Sequence, residues 1–378
     1  MKNKINKKIG CIAISLLCVL QASSCDWIFG EENGWINPAK GETAKNIILL
    51  IGDGMGPQQI QAGELYKGSS LVMQSIAQRI YVETNSYSGI TDSAAGGTAI
   101  STGNKTINGF VGMDEDRNEL ETIVDIAHNL GKRTGIITTE PLYGATPMSF
   151  SAHNSSRSNY MDLLESAATT SNVNLFASYF LDNVQMTNVF VNNGYSMKTS
   201  VDEISDASEE KIFGTYNIKA NAPSMAGTTS NVAFDRLLVE SLDYLSKDDD
   251  GFFLMAEGAR IDHGGHNNDI AYMLSELLAF DDAVKAALDW AKDRNDTVVI
   301  VTADHETGGL TLSPTATHET ILDSTSYLWT TDYHTSADIY CYVHGAKISF
   351  EDYSDFGWED RQRNTDTFQI MKTLFLGK

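Results

Sequence analysis

One serine in the chain has the surroundings of a nucleophile. Ser93 lies in the run Thr91 to Gly103 (T-D-S-A-A-G-G-T-A-I-S-T-G), which predicts a polar turn followed by a helix of small residues. Small neighbours leave the hydroxyl uncovered, and the free N–H groups of a helix N-terminus favour an anionic ligand beside it. A serine at this place is more commonly an N-cap that bonds to its own helix. The motif by itself therefore leaves both interpretations open.

Acidic residues and histidines occur in small clusters directly after predicted strands. Asp53 stands between glycines after one apolar run, and Asp304 and His305 are adjacent after another. Asp262 and His266 are spaced i,i+4, so one helical turn brings both to a single face as a possible ligand pair. Taken alone, Asp53 is equally typical of a turn, and the Asp262–His266 pair of an exposed, capped helix. Their shared placement favours metal ligation and a reactive role for the serine of the first motif.

Four further positions belong to the same set of candidates. Glu257 follows an apolar run, and His334 precedes another in D-Y-H-T-S-A-D. Thr146 and Arg157 share the segment G-A-T-P-M-S-F-S-A-H-N-S-S-R, in which the planar guanidinium of Arg157 suits phosphate oxygens. Without the other motifs, Arg157 would be interpreted as an ordinary surface residue.

These side chains require a sheet whose strand ends meet at one edge. Continuous apolar runs predict buried parallel strands, and amphipathic stretches between them predict helices. The predicted strands are 46–51, 134–139, 251–256, 297–302 and 339–343, and the predicted helices are 120–130, 160–168, 232–245, 269–291 and 363–376. Their alternation indicates an α/β fold with a largely parallel central sheet covered by helices on both faces, which binds ligands at the carboxyl ends of its strands.

The N-terminus predicts a targeting segment that is not part of the fold. Lysines precede an apolar run over about residues 9–20, too short to span a bilayer, and A-S-S-C follows, ending at Cys25. This pattern resembles a bacterial lipoprotein signal, although it lacks the leucine common in such signals, and secretion without lipid is the alternative. We expect residues 1–24 to be a signal peptide, Cys25 to carry lipid and residues 25–44 to form a tether. The protein would then be exported, as a periplasmic, outer-membrane or cell-surface lipoprotein.

Length and charge limit the remaining organisation. The chain has 378 residues and a net charge of −23, which argues against nucleic-acid binding and means that an anionic substrate would need bound cations. Residues 45–378 are enough for one large domain, within which the polar segment 158–250 predicts an intervening lobe without chemistry. Cys341 remains as a lone thiol in a strand-like run and is expected in the core.

The motifs D-G-M-G, T-D-S-A, A-T-P…A-H…S-R, E-G-x-x-I-D-x-x-x-H, T-A-D-H-E-T-G-G and a late H-T, in this order, resemble those of alkaline phosphatase. They run from Asp53 to His334, so the resemblance spans most of the chain. It implies an alkaline-phosphatase-like three-layer sandwich, hydrolysis of small phosphate monoesters through a phosphoserine on Ser93, a phosphate grip by Arg157, and a homodimer. It also implies two zinc ions and one magnesium ion. The implied zinc ligands are Asp53, Asp304 and His305 for one ion and Asp262, His266 and His334 for the other, and the implied magnesium ligands are Asp53, Thr146 and Glu257.

The sequence departs from the family pattern at Gly144. Some members carry an aspartate or a histidine there that touches magnesium through water, and His263 is a position that varies with it. Glycine has no side chain for this contact. The resemblance therefore carries over both zinc sites but leaves the magnesium site without one of its groups.

Three other functions compete with a phosphomonoesterase. A phosphodiesterase of the same superfamily commonly uses threonine as nucleophile, whereas this chain has Ser93. A sulfatase needs a modified residue in C/S-x-P-x-R, whereas Ala94 and Ala95 follow the serine. A non-catalytic metal-binding surface lipoprotein would be expected to lack a ligand or the nucleophile, and all of them are present in the sequence.

Overall fold

The computed structural model describes residues 35–38, 43–180, 184–220, 231–345, 348–351 and 362–377. The predicted signal peptide and Cys25 lie outside the described residues. Within the predicted tether, Trp35–Pro38 forms a short strand that pairs antiparallel with Ile348–Glu351. Part of the segment 25–44 therefore differs from a free linker.

The secondary structure alternates between strands and helices along most of the described chain. The strands are β1 Trp35–Pro38, β2 Asn46–Gly52, β3 Gln78–Glu83, β4 Arg133–Pro141, β5 Leu175–Tyr179, β6 Ser196–Lys198, β7 Ile212–Tyr216, β8 Phe252–Gly258, β9 Thr297–Thr302, β10 Glu306–Thr307, β11 Thr311–Leu312, β12 Tyr327–Leu328, β13 His334–Thr335, β14 Ile339–His344, β15 Ile348–Glu351 and β16 Gln362–Arg363. The helices are α1 Pro57–Lys67, α2 Ser93–Thr102, α3 Ile123–Asn129, α4 Ala145–Met148, α5 Tyr160–Thr170, α6 Val184–Asn192, α7 Asp202–Asp206, α8 Phe234–Leu245, α9 Arg260–His266, α10 Ile270–Ala291 and α11 Asn364–Leu376, with a 3-10 turn at Val72–Ser75.

A ten-stranded sheet in the order β16-β3-β14-β9-β2-β8-β4-β5-β7-β6 forms the centre of the molecule. Strand β14 runs antiparallel to both of its neighbours, and the other neighbouring pairs are parallel. The prediction of a largely parallel sheet is therefore confirmed. Cys341 is buried in β14, as expected for a core residue.

The three middle strands, β9, β2 and β8, are buried along their whole length because their sequences are almost continuously apolar. Their register is nearly flush, since Ile51 of β2 is opposite both Glu257 of β8 and Thr302 of β9. The carboxyl ends of these strands consequently lie side by side. This edge of the sheet carries the candidate site.

The helices fall into two packed groups, one on each face of the sheet. Helix α10 packs with α1, α8 and α9 and against β2, β8 and β9, while α11 packs with α2 and α3, and α3 and α4 pack against β4 and β8. The three-layer α/β sandwich is therefore confirmed. No helix in the described part of the chain is both long and apolar enough to cross a membrane.

Residues 158–250 differ from the separate lobe that the sequence suggested. They contain β5, β6 and β7, which pair parallel with one another and extend the main sheet beyond β4. Their helices join the same layers, since α8 packs on α10. The segment forms one edge of the central sheet because β5 pairs with β4, β7 with β5, and β6 with β7.

One helix begins later than its apolar pattern indicated. The helix expected over residues 120–130 is Ile123–Asn129, because Thr122 caps it. The Thr122 hydroxyl accepts from the backbone N–H of Asp125 at 3.2 Å, and the Asp125 carboxylate accepts from the backbone N–H of Thr122 at 2.9 Å. This reciprocal capping box fixes the first turn.

Candidate active site

The first helical residue of α2 is Ser93, and its cap is the residue before it. The Asp92 carboxylate accepts from the backbone N–H of Ala95 at 3.0 Å, which is the N-cap bond. The capping interpretation of Ser93 is therefore wrong, and its hydroxyl is available for another role. The Ser93 Oγ lies 3.3 Å from Nε2 of His305.

The small residues of α2 allow the helix to lie close to the strand ends. A Cβ added at Gly96 would lie 3.2 Å from the backbone oxygen of Asp304, and one at Gly97 would lie 2.3 Å from Oγ of Ser149. Larger residues at either position would push the helix outwards. The glycines thus set the distance between Ser93 and the sheet edge.

Asp53, Asp304 and His305 form a fully buried group, the inner cluster, whose ligand atoms lie within 4.8 Å of one another. Asp53 follows β2, and the other two residues follow β9. The His305 Nε2 lies 3.1 Å from Oδ2 of Asp304 and 3.6 Å from Oδ1 of Asp53. Two carboxylates and an imidazole at this spacing can hold a divalent metal ion.

Asp262, His266 and His334 form a second group, the outer cluster. Helix α9 places Asp262 and His266 on one face, as the i,i+4 spacing predicted, with His266 Nε2 3.3 Å from Oδ2 of Asp262. Strand β13 brings His334 Nε2 to 3.1 Å from His266 Nε2 and 3.6 Å from Oδ1 of Asp262. Its ring stacks on that of His305 with 3.6 Å between centroids, and Asp262, His305 and His334 also lie close enough to share an ion.

Backbone carbonyls set the orientation of both outer histidines. Nδ1 of His266 lies 2.6 Å from the oxygen of Asp332, and Nδ1 of His334 lies 2.9 Å from the oxygen of Thr91. A carbonyl can only accept, so each Nδ1 carries a proton, and in the neutral ring each Nε2 presents a lone pair. When both rings are neutral, two lone pairs therefore face each other across 3.1 Å. A cation bound by both Nε2 atoms would satisfy both lone pairs. A backbone carbonyl that accepts from Nδ1 is also the usual way in which a metal-bound histidine is oriented.

Thr307 connects the two clusters through one hydroxyl. It donates to Oδ1 of Asp262 and lies 3.2 Å from Nδ1 of His305. Because its proton is used on Asp262, the hydroxyl oxygen accepts from Nδ1 of His305. The Nε2 of His305 is then free to bind a metal ion beside Ser93.

Among the described residues, no lysine or arginine forms an ion pair with the carboxylates of the inner cluster. Burial, followed by repulsion from Asp304, raises the pKa of Asp53; burial and then repulsion from Asp262 raise the pKa of Asp304 to about 7. Burial lowers the pKa of His305, which keeps its ring neutral. Within the described part of the chain, Asp53 Oδ1, Asp304 Oδ2 and Glu257 Oε1 are buried without a hydrogen-bond partner. Buried oxygens of this kind can be satisfied by a bound cation or an ordered water.

The three residues that the resemblance assigned to magnesium also come together. The Thr146 hydroxyl at the start of α4 donates to Oδ2 of Asp53 at 3.4 Å. Glu257, at the end of β8, is fully buried and accepts from the Thr138 hydroxyl of the neighbouring strand.

Sequence reasoning missed Glu140, near the end of β4. Its Oε1 occupies the place of a side chain at Gly144, since a Cβ there would lie 1.8 Å from it. Its other oxygen lies 3.7 Å from Nε2 of His263. Glu140 stands near a strand end beside β8, so the rule that found Glu257 could have found it.

Arg157 lies beside the start of α2. Its Nη1 donates to Oδ2 of Asp92 at 3.1 Å, and the same carboxylate oxygen accepts from the backbone N–H of Gly109 at 3.0 Å. Asp92, a second residue absent from the predicted site, therefore both caps α2 and holds Arg157 next to Ser93. The guanidinium remains partly exposed and has further N–H groups for an anion.

A buried serine next to two groups of side chains that could hold metal ions, at the strand ends of an α/β sheet, is the arrangement of a metal-assisted hydrolase of the phosphatase type. The sequence model described as alkaline phosphatase matches this chain over residues 44–216 and 196–372. The chain belongs to the alkaline phosphatase family.

Individual relatives give the same result. Alkaline phosphatase 4 of Bacillus subtilis is 32% identical over 289 residues, which cover 71% of this chain and 62% of the relative. Alkaline phosphatase of Escherichia coli is 29% identical over 338 residues, covering 72% of both chains. This chain thus spans less than two thirds of the Bacillus relative.

Solved structures share the fold. The alkaline phosphatase from the Antarctic bacterium TAB5 superposes with a TM-score of 0.73 at 27% identity, over 88% of this chain and 98% of that one. A mutant of the same enzyme with Mg bound in its M3 site superposes with a TM-score of 0.72 at 28% identity, over the same shares.

Proposed function

We propose that this protein is an alkaline phosphatase in the strict sense, a phosphoric monoester hydrolase (EC 3.1.3.1) that works through a phosphoserine on Ser93. The observation that carries the proposal is the contact between the Ser93 hydroxyl, which does not cap its helix, and Nε2 of His305, 3.3 Å apart with both residues buried. Family membership supports hydrolysis of phosphate esters. The proposal goes further and names small phosphate monoesters as the substrates.

We assign zinc to the inner and outer clusters, since aspartate oxygens and imidazole nitrogens are typical zinc ligands. The pair of ions would supply Lewis-acid stabilisation of the attacking and leaving oxygens in an in-line phosphoryl displacement. Asp53, Thr146 and Glu257 would hold magnesium, an ion that the TAB5 mutant binds in its M3 site.

The protein's own groups position the reaction. Asp92 fixes the start of α2, so the Ser93 Oγ is held towards the inner cluster rather than rotating towards solvent. The same carboxylate holds one nitrogen of Arg157, and the remaining N–H groups of the guanidinium bind two non-bridging phosphate oxygens. Orientation of the phosphorus opposite Ser93 follows from these two constraints.

The leaving group departs towards the outer cluster in this proposal. His266 and His334 are partly exposed, whereas His305 is fully buried. An alcohol released on that side reaches solvent, and the water that cleaves the phosphoserine enters from the same side.

The test compares hydrolysis of an aryl phosphate monoester and an aryl phosphate diester by the full chain across alkaline pH, with metal analysis of the same sample. We expect strong monoester preference with about two zinc ions per chain. Diester preference would place the enzyme among the phosphodiesterases of the superfamily. Bound metal without either activity would instead favour a metal-binding surface protein.

Ser93→Ala should remove the covalent intermediate. We expect no phosphorylated protein after incubation with labelled phosphate at acidic pH, and a loss of activity of about 10³-fold or more, with zinc content unchanged. Ser101→Ala, on the same helix, is the matched control and should keep the intermediate. Loss of zinc together with activity in Ser93→Ala would show that the serine builds the site and does not act as nucleophile.

We also propose export with removal of residues 1–24 and a lipid on Cys25. The charged and apolar pattern of the N-terminus supports this proposal. Mass spectrometry of the mature N-terminus tests it, and an unprocessed Met1 would contradict it.

A further inference from the structure

The carboxylate of Glu140 lies where a side chain at position 144 would be. Gly144 has φ −52° and ψ 148°, a backbone conformation open to any amino acid, so the turn itself does not require glycine. What excludes a side chain is the Glu140 carboxyl group, whose Oε1 and Cδ lie 1.8 and 2.5 Å from the position of a Cβ. Strand β4 therefore delivers a carboxylate to the point, two residues before Thr146, where residue 144 would otherwise point.

This carboxylate joins an excess of buried negative charge. Glu257 on the neighbouring strand is fully buried, and its Oε1 has no hydrogen-bond partner among the described residues. Burial, followed by the charge of Glu140, raises the pKa of Glu257, and Glu140 also acts on Asp53. The Thr146 hydroxyl contacts Asp53, and the charges of Glu140 and Asp53 act on each other and on Glu257 in the same buried region. Oxygen donors with this much negative charge suit a hard dication such as Mg²⁺.

His263 limits where the carboxylate can turn. Its Nε2 lies 3.7 Å from Oε2 of Glu140, on the side of the group away from Gly144. The imidazole follows Asp262 in α9, so the contact ties the carboxylate of β4 to the helix of the outer cluster. Glu140 therefore has room for one oxygen beside Gly144, and the imidazole of His263 lies against its other oxygen.

We propose that Glu140 completes the magnesium site of this protein, its carboxylate binding the ion or an ion-bound water in the space that Gly144 leaves open. The proposal rests on the proposed function, because that function brings magnesium to Thr146 and Glu257. In this site a carboxylate from strand β4, that of Glu140, takes the place of a side chain at position 144, just before helix α4.

The test is magnesium binding to the zinc-loaded full chain, measured by titration calorimetry and by metal content after equilibrium dialysis. Glu140→Gln keeps the shape of the side chain and removes its charge. We expect the Kd for Mg²⁺ to rise roughly 10- to 100-fold while zinc content stays at the wild-type value. Glu64→Gln, on α1 and outside the site, is the matched control and should bind Mg²⁺ like the wild type.

The exchange can also be reversed. In Glu140→Ala combined with Gly144→Asp, the carboxylate comes from residue 144 into the space that Glu140 has vacated, and we expect most of the Mg²⁺ affinity to return. Gly144→Asp alone places two carboxyl groups in one space and should not improve binding. Recovery in the double variant separates a role in the ion site from a merely structural role of Glu140.

Two results would overturn the proposal. One is a wild-type Kd for Mg²⁺ in Glu140→Gln, and the other is a double variant that binds no better than Glu140→Ala. Wild-type protein that holds two zinc ions and cleaves monoesters but takes up no Mg²⁺ would also overturn it, while leaving the proposed function intact. Absence of both zinc and monoesterase activity would remove the proposed function itself.

Discussion

The inner and outer clusters lie side by side but differ in charge and in contact with solvent. The inner cluster has two carboxylates and one imidazole, and the His305 and Asp304 side chains are 0% exposed. The outer cluster has one carboxylate and two imidazoles, and the His266 side chain is 36% exposed. The more negative cluster is thus the one without access to water.

This difference indicates a division of roles. Among the residues that the structure describes, no lysine or arginine forms an ion pair with the two buried carboxylates of the inner cluster, so this cluster should depend more strongly on a bound metal ion, and Ser93 contacts this side. The outer cluster balances one carboxylate with two rings and opens to solvent, which suits exchange of a leaving group for water. Three predictions test this contrast.

Asp304→Asn should have the largest effect. Loss of one of the two inner charges should abolish zinc binding there and reduce monoester hydrolysis on the order of 10³-fold, even with excess zinc, because no other group can replace it. Zinc content and initial rates measure this. Burial raises the pKa of Asp304 to about 7 in the metal-free protein, so its charge reduces stability as the pH rises from about 4 through about 7, and the cost remains above that.

The metal-free Tm therefore separates a functional effect from misfolding. At pH 9 the metal-free Asp304→Asn protein should melt at a higher temperature than the metal-free wild type, since the substitution removes a repelled buried charge. A lower metal-free Tm would show that Asp304 supports the fold itself, and the contrast between the clusters would fail.

His266→Asn should have a smaller and reversible effect. Asp262 and His334 remain as ligands, and water can take the vacated position because the site is half open. We expect activity to fall roughly 10- to 100-fold at limiting zinc and to recover in large part when zinc is raised. His128→Asn, at an exposed helix position, is the control. A loss that excess zinc cannot restore would mean that the outer cluster is as demanding as the inner one.

Proton release on zinc binding should show the smallest signal. The hydrogen bond with Asp262, against the opposing effect of burial, raises the pKa of His266 to about 9 in the metal-free protein. The stabilisation from this charged pair is complete below about pH 6.5 and is lost as the pH rises through about 9. At pH 8 zinc must therefore displace a proton from His266.

Calorimetry in two buffers of different ionisation enthalpy measures this release. The wild type should release about one proton more than His266→Asn at pH 8 and the same number at pH 10. If the wild type and His266→Asn release the same number of protons at pH 8 as well as at pH 10, His266 is already neutral at pH 8. The difference in charge between the two clusters would then be smaller than proposed.

The sequence was sufficient where chemistry follows directly on an apolar strand. Asp53, Glu257 and Asp304 could be found because continuous apolar runs predict strands and ligands collect at their carboxyl ends. The i,i+4 pair on α9 followed from helix geometry alone. Hydrophobic pattern carries no direction, however, so nothing in the run Ile339–His344 showed that β14 is antiparallel to its neighbours.

Contacts between segments distant in sequence explain what sequence reasoning missed. The pairing of Asp92 with Arg157, 65 residues apart, depends on how the loop after α4 returns to α2. Glu140 stands near a strand end, where the rule that found Glu257 could have found it, but only the packing shows that its carboxylate fills the space beside Gly144. The strands of 158–250 were assigned to a lobe because short, partly polar strands at a sheet edge have a weak apolar signal.

The Thr307 hydroxyl has a consequence for how this site can evolve. One oxygen contacts Asp262 of the outer cluster and His305 of the inner cluster, and the rings of His305 and His334 are stacked. A substitution that retunes leaving-group preference therefore also shifts the nucleophile side. Substitutions in the two clusters should therefore be coupled, so that a change in one requires a compensating change in the other. Single substitutions are then less able to lead to new substrates.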